Sequence, residues 1–268
     1  MYLSDYHTHC SLSFDSKTPV EDMVRAGIAQ GLQEMCLTDH VDLFHPRETA
    51  HWEHDFSNRE ETFARADQAA DGKIIVRRGI ELGEAMRDFA YADELLSRLP
   101  ELDFVIGSQH QLSEKYDWND LYFMPEATEQ EAREQIADYL TLVLETAKWG
   151  KFSVLGHLTL PLRYMNENHG MHMSFDGFED EVAQVFRALI ENGCGIECNV
   201  NRGNTPLPAG DILRLYREMG GEVITLGSDA HSRDMVGCAI LERQQLLRDC
   251  GFRYFCTFEG GKPIFRPL

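Results

Sequence analysis

Short apolar segments alternate with amphipathic stretches along the whole chain, and that alternation restricts the fold more than any other feature. Leu3–Thr8, Glu34–Thr38, Ile74–Glu81, Phe104–Gly107, Ser153–Gly156, Gly195–Asn199, Glu222–Gly227 and Phe252–Thr257 read as strands. The segments between them repeat apolar residues at helical spacing. Thr18-Pro19-Val20-Glu21 and Thr128-Glu129-Gln130-Glu131 carry helix-start signals of the capping-box kind, the first with proline placed for the first helical position. The second opens a long helix toward Trp149 that Gly150 ends, and the helix through Ala183–Ile190 stops at Asn192-Gly193. Strands alternating with helices predict an α/β fold on a parallel sheet. No linker, composition shift or repeat divides the chain, so one domain over residues 1–268 is expected. His45–Asn58, Gln111–Ala127 and Arg163–Phe175 are longer than simple connections need, as expected of loops that rim a site.

The ends of these strands are where chemistry collects. His7-Thr8-His9 closes the first strand, Thr38-Asp39-His40 the second and Gly79-Ile80-Glu81 the third. His110 follows the fourth, His157 the fifth, and Asp229-Ala230-His231 the seventh. In barrels of parallel strands, functional groups sit at the C-terminal strand ends. Residues two apart on extended backbone face the same side, so His7 with His9, and Asp229 with His231, can present paired ligands. A single strand-end histidine is ordinarily a hydrogen-bonded, half-buried side chain. A histidine or acid at each of six strand ends points instead to a metal cluster. Imidazole and carboxylate together suit zinc, iron or manganese.

Composition narrows the setting. The chain has 268 residues and seven cysteines, with no Cys-x-x-Cys pair, which speaks against a disulfide framework or a structural zinc site. A formal net charge of −20 disfavours nucleic acid and anionic membranes as partners. No segment has the run of about 18 apolar residues that a membrane span needs. Met1-Tyr2-Leu3-Ser4-Asp5 lacks the basic and apolar regions of a signal peptide, so a cytoplasmic location is expected.

The set His7-x-His9, Asp15, His40, Glu81, His110, His157 and Asp229-x-His231 resembles the polymerase and histidinol phosphatase (PHP) family, in order and over most of the chain. Length and layout look most like its stand-alone histidinol-phosphatase branch. The resemblance implies a distorted (β/α)7 TIM-like barrel with two to three divalent ions (Zn, Fe or Mn) at the C-terminal strand ends. It implies that His7, His9, Glu81 and Asp229 hold a first ion, and that Glu81 bridges to a second held by His110 and His157. Asp15, His40 and His231 would hold a third. Asp15 stands where many members carry histidine, and a carboxylate there favours harder ions.

Ions in such a cluster acidify water and neutralise phosphate oxygens, which makes in-line attack at phosphorus feasible. The expected reaction is hydrolysis of a small phosphate monoester, with L-histidinol phosphate the specific candidate, and Glu81, Asp229 and His231 are the expected catalytic residues. Arg202, after the sixth strand, is the first candidate to clamp phosphate and Arg163 the second. An ordinary surface salt bridge is the plain alternative for either. His45, His51 and His54 read as a solvated loop beside Trp52. A PHP-type phosphodiesterase or exonuclease acting on nucleotides is a second reading, and a non-catalytic metal-stabilised module a third. An amidohydrolase-like barrel fits less well, since no lysine stands at the strand ends. The oligomeric state is left open.

Overall fold

The computed structural model describes residues 1–268. Seven parallel strands run in the spatial order β1 (Ser4–Thr8), β2 (Glu34–Leu37), β4 (Ile75–Gly83), β5 (Phe104–Ser108), β6 (Val154–Leu155), β7 (Gly195–Asn199) and β8 (Ile224–Gly227). A short β3 (His40–Asp42) also pairs with β4, His40 in register with Glu81. The seam between β8 and β1 is nearly closed. Asp229 N donates to His7 O at 2.8 Å and His9 N donates to Ala230 O at 2.9 Å. The buried Asp5 carboxylate draws in the same seam, accepting from Ser228 N and Gly237 N at 2.8 Å each.

Between the strands lie helices α1 (Val20–Ala29), α2 (Arg59–Ala70), α3 (Phe89–Arg98), α4 (Glu129–Trp149), a short α5 (Leu160–Leu162), α6 (Glu179–Glu191), α7 (Gly210–Glu218) and α8 (Ile240–Asp249). Helix α4 starts as its sequence predicts. Thr128 Oγ1 accepts from Glu131 N while Glu131 caps Thr128 N, and Gly150 ends the helix in the left-handed region at φ 64°. Helix α1 departs from the expectation. It begins at Val20 with Pro19 outside it, and no side chain caps it. Thr18 Oγ1 donates instead to His231 O at 3.3 Å, and Glu21 pairs with Arg65 of α2, so distant partners displace the local box.

Two further differences matter for the site. The expected strand Glu34–Thr38 is found as β2, and a short β3 that the sequence did not suggest follows it. Asp39 turns its carboxylate toward Cys10 N (2.7 Å) and the Ser13 hydroxyl (3.0 Å), which interrupts the ladder. The eighth expected strand, Phe252–Thr257, is found as β9 (Tyr254–Glu259), antiparallel to β10 (Lys262–Pro267) in a separate two-stranded sheet. Gly260 and Gly261 join them at φ 54° and 72°, the backbone a two-residue hairpin loop needs.

The hairpin lies against the N-terminal ends of the strands. Tyr6, Cys36, Phe104, Ile106 and Val154 pack with Cys256 and Phe258 of β9, and Phe258 N donates to Tyr6 Oη at 2.7 Å. A bulge in β1, between Asp5 and Thr8, inserts one residue into the pairing with β2. It lets Tyr6 join this apolar cluster while its neighbour His7 serves the opposite end, the re-aiming that bulges provide. No helix is long and apolar enough to cross a membrane. All seven cysteines are free and six of them are buried.

Candidate metal centre

All nine residues expected as ligands converge at the C-terminal mouth of the barrel. Glu81, fully buried at the end of β4, is the hub. Its Oε2 lies 3.2 Å from His7 Nε2, 3.5 Å from His9 Nε2 and 3.1 Å from His40 Nδ1. Its Oε1 lies 2.8 Å from His157 Nε2 and 3.2 Å from His110 Nε2, and accepts from the Ser108 hydroxyl at 2.6 Å. Asp229 Oδ1 stands 3.6 Å from His7 and 3.5 Å from His9. Asp15 Oδ2 is 3.0 Å from His231 Nε2 and 3.7 Å from His40 Nε2.

These distances test whether the pocket suits a cation. His7 Nε2, His9 Nε2, His40 Nδ1 and Glu81 Oε2 are buried, yet none has a hydrogen bond of acceptable geometry. Buried polar atoms without partners are rare in folded proteins, and here four point toward a common space. Ligand atoms of His7, His9 and Asp229, of His7, Glu81 and His157, and of His9, His40 and His231 each fall within 4.8 Å of one another. With His40, Asp42 and His110 as a fourth such group, this overlapping set of imidazole and carboxylate donors fits several divalent ions.

The electrostatics agree. Burial works against a charge on His7, but Glu197, Glu81 and Asp229 outweigh it and hold its pKa well above the ordinary value. His110 is raised in the same way by Glu81 and Asp42, and His40 to about 9 by Glu81 and Asp42. Burial also opposes ionisation of Glu81, which the imidazoles of His7, His40 and His110 nonetheless keep well below the usual carboxylate range. His9 goes the other way, to about 3, through burial and the nearby His231 and His40. The carboxylates thus stay negative and draw a positive charge into the cluster, as protons or as metal ions.

Several working residues lie outside the expected set. Glu197, in the middle of β7, accepts from His7 Nδ1 at 2.7 Å and from His157 N at 2.8 Å. That fixes the His7 ring orientation with Nε2 facing Glu81. The Ser13 hydroxyl lies 2.9 Å from His9 Nδ1 and donates to Asp39, a relay that orients a second ring. Asp42 Oδ1, buried and without a hydrogen bond, lies 3.6 Å from both His40 Nδ1 and His110 Nδ1. Close packing enforces these positions: a methyl at Gly227 would collide with Glu197 and His7, and one at Gly83 with Asp42. Non-glycine residues just past three strands, Glu84 (φ 58°), Asn201 (φ 48°) and Asp229 (φ 58°), hold left-handed backbone, strain of a kind that gathers at functional sites.

Of the two arginines, Arg163 rather than Arg202 borders the cluster. Arg163 begins a π-helical turn (Arg163–Asn168) after α5. Its Nη1 is 3.0 Å from Asp229 Oδ2, and it donates to Asn201 Oδ1 and Asn199 Oδ1 at 2.8 and 3.2 Å. Arg202 is 53 % exposed and its one side-chain hydrogen bond is to Glu167. The loop around His45 is largely exposed, as expected, and its rings stack on one another. His45 lies 3.5 Å from the Trp52 ring centre, and His54 Nε2 is 2.7 Å from Asp42 O. Above the cluster opens a cleft of about 510 Å³, lined by His40, His110 and His231 at its floor and by aromatic rings at its mouth.

Fold and site together define a nearly closed parallel β/α barrel with a histidine–carboxylate cluster able to hold several metal ions. The chain belongs to the PHP-domain family, whose model matches residues 5–201. It is 29 % identical to the histidinol-phosphatase of Lactococcus lactis over 267 residues, covering 96 % of this chain and 95 % of that one. It is 26 % identical to a probable histidinol-phosphatase of Thermotoga maritima, with 97 % of each covered. The crystal structure of histidinol phosphate phosphatase from Lactococcus lactis, complexed with zinc, L-histidinol and phosphate, superposes with a TM-score of 0.80 at 26 % identity and 98 % coverage of both chains.

Proposed function

We propose that this chain is a metal-dependent phosphatase that hydrolyses L-histidinol phosphate to L-histidinol and phosphate. The observation that carries the reading is Glu81, a buried carboxylate ringed by five imidazoles, three of which (His7, His9 and His40) face it with nitrogens that lack hydrogen-bond partners. Likeness to named histidinol-phosphatases along nearly the whole chain supports the substrate. Under this reading residues 1–268 form one barrel domain. His7, His9, Glu81 and Asp229 would hold one ion, Glu81, His110 and His157 a second, and Asp15, His40 and His231 a third. Bound zinc, iron or manganese supplies the Lewis acidity that activates water and neutralises phosphate charge.

The chain's own groups do the rest. Glu81, Asp229 and His231 are the residues at the reacting centre. Arg163, held by Asn199 and Asn201 beside Asp229, presents a planar guanidinium suited to phosphate oxygens. Arg202, exposed and paired with Glu167, is the second candidate to contact phosphate. The cleft has room for a small ligand, and the net charge of −20 disfavours long polynucleotides. A soluble cytoplasmic enzyme with a small phosphorylated partner is the consistent picture.

The test is phosphate release from L-histidinol phosphate by apo-protein reconstituted separately with manganese, zinc and iron, beside a panel of monoesters, nucleotides and short oligonucleotides. The expected result is preference for L-histidinol phosphate. Glu81→Gln should lose more than about a hundredfold in rate, since even outer groups of a metal site are worth 10–100-fold. Preference for nucleotides would overturn the substrate and keep the metal chemistry. No hydrolysis with any metal would overturn the enzyme.

A further inference from the structure

The cleft over the cluster has a feature that handling phosphate does not explain. Asp120, carried by the loop after β5, lines this cleft in company with Phe14, Tyr122, Phe123 and Tyr164. Phe14, Tyr122 and Phe123 are each more than 60 % exposed, an unusual outlay of aromatic surface around one mouth. Tyr122 meets Phe123 and Tyr164 edge to face, at ring separations of 5.1 and 5.9 Å. No lysine or arginine lines the cleft, and Asp120 has no ion-pair partner of its own; the cationic groups nearest to it, the imidazoles of His40 and His110, are engaged with Glu81 and Asp42.

Asp15 and Asp42, which also line the cleft, face the histidines of the cluster, whereas Asp120 sits among the aromatic rings, where a carboxylate repels the ligand's phosphate end and needs a different role. One carboxylate oxygen is already used, accepting from Tyr122 N at 2.7 Å. That bond fixes the side chain and leaves the second oxygen for a ligand. The position is also tied to the metal centre. Leu121 N donates to His110 O at 2.8 Å, and Asp120 bridges to Gln111. The carboxylate therefore sits at a set offset from His110. Aromatic faces around an anion make a favourable seat for a cation, which gains from both the charge and the ring quadrupoles.

We infer that Asp120 is the specificity-determining residue of the cleft, selecting phosphate monoesters whose alcohol half carries a cationic ammonium or imidazolium group. The inference rests on the phosphatase reading above and adds the rule by which the alcohol is chosen. Asp120 contributes to ground-state binding of the cation and takes no part in the reaction at phosphorus. A variant at this position therefore changes KM and leaves kcat and metal content near the wild-type values.

The experiment compares wild type, Asp120→Asn and Asp120→Ala in the zinc- or manganese-loaded protein. Asparagine keeps the acceptor for Tyr122 N and the volume, and removes only the charge. L-histidinol phosphate and phosphoethanolamine serve as cationic substrates, and glycerol phosphate as the neutral one. For Asp120→Asn the expected result is a KM raised about 10- to 100-fold for the cationic esters, the size of one charged hydrogen bond. KM for glycerol phosphate should stay level or fall. A calorimetric arm needs no turnover: L-histidinol should bind wild type and lose about the same factor in Asp120→Asn, while inorganic phosphate binds both alike.

Equal losses for cationic and neutral esters would overturn the inference in favour of a structural role. So would undiminished binding of L-histidinol to the variant, or a wild-type preference for neutral esters. The two readings separate cleanly. If phosphoethanolamine is preferred over L-histidinol phosphate and depends on Asp120, the cation rule stands and the histidinol assignment falls. If L-histidinol phosphate is preferred and Asp120→Asn is indifferent, the reverse holds.

Discussion

Glu197 shows how much of a metal centre is built by residues that touch no metal. Its carboxylate accepts from His7 Nδ1 at 2.7 Å and from His157 N at 2.8 Å, so one buried side chain orients two of the rings around Glu81. Glutamine in its place can still accept one hydrogen bond but brings no charge. Glu197→Gln is therefore expected to weaken zinc binding about 10- to 100-fold, measured by competition with a chelating dye, with the far-ultraviolet circular dichroism unchanged. Zinc affinity equal to wild type would show that the orientation of His7 does not depend on this carboxylate. Eight of the nine candidate ligands were legible because they fall at or near strand ends, where a barrel gathers its chemistry, and Asp15, in the loop after β1, was reached only through the family resemblance. Glu197 was not, since it sits inside Gly195–Asn199 and reads there as one polar residue in a buried strand. Its signal was parity: Glu197 shares a face with Asn199, and an acid buried between apolar neighbours needs a partner. Asp42 and Asp39 were hidden differently, by the turn that splits β2 from β3. Arg202 was put first because it ends the asparagine-containing run Cys198-Asn199-Val200-Asn201-Arg202 after the sixth strand, whereas the π-helical turn that swings Arg163 over Asp229 has no mark in the sequence.

At the scale of elements, local signals held where nothing stronger competed. The capping box of α4 formed because Thr128 and Glu131 are exposed and have no other partner. The same kind of signal at Thr18 failed because His231 O and Arg65 drew its two polar groups away. Only the first half of the C-terminal hairpin was read, as an eighth strand beyond the seven of the barrel, since periodicity cannot tell parallel from antiparallel pairing. Glu259-Gly260-Gly261-Lys262 was the overlooked sign, a two-residue glycine loop between strand-like segments. The failed cap at α1 also has a measurable consequence. Glu21 Oε1 and Oε2 accept from Arg65 Nε and Nη2 at 2.6 and 2.8 Å, joining α1 to α2. The hydrogen bonds from Arg65 lower the Glu21 pKa from 4.5 to about 2. A pKa depressed by folding means that the pair's stabilisation is complete above pH 4.5 and fades as pH falls toward 2. For a solvent-facing pair the size is about 0.2–1 kcal/mol. Urea unfolding of wild type and Glu21→Gln should thus differ by that amount at pH 7, and the gap should narrow below pH 4.5. Taking the difference cancels any loss of metal common to both proteins. A gap that is constant with pH would show that the ion pair contributes nothing.

The whole molecule is a barrel closed at its two mouths by different physics. At the N-terminal mouth the hairpin covers Tyr6, Phe104 and Ile106 with Phe258, an apolar closure that depends on no ion. At the C-terminal mouth the cluster draws on β1, β3 and β4 and on the loops after β5, β6 and β8, and it is held by charge. The chain carries 45 acidic and 25 basic residues, so every cation bound there also relieves a net charge of −20. Without metal, His7, His40 and His110 hold raised pKa values beside Glu81 and Asp42, and protons alone offset these buried carboxylates. A proton serves one donor, whereas a divalent ion joins three or four at once and so couples strands that hydrogen bonds leave separate. An ion that binds only the folded chain adds about 4 kcal/mol of stability at a free concentration a thousandfold above its dissociation constant. For a domain of this size each kcal/mol moves Tm by about 2–4 °C. Chelation is therefore expected to lower Tm by roughly 10 °C for each tight site emptied, read by differential scanning calorimetry. Zinc or manganese should restore it. Magnesium should not, because an imidazole-rich site suits it poorly. A Tm indifferent to chelation would mean that the mouth is held by protons and hydrogen bonds alone. Recovery with magnesium would mean that the carboxylates, not the histidines, decide which ion the barrel holds.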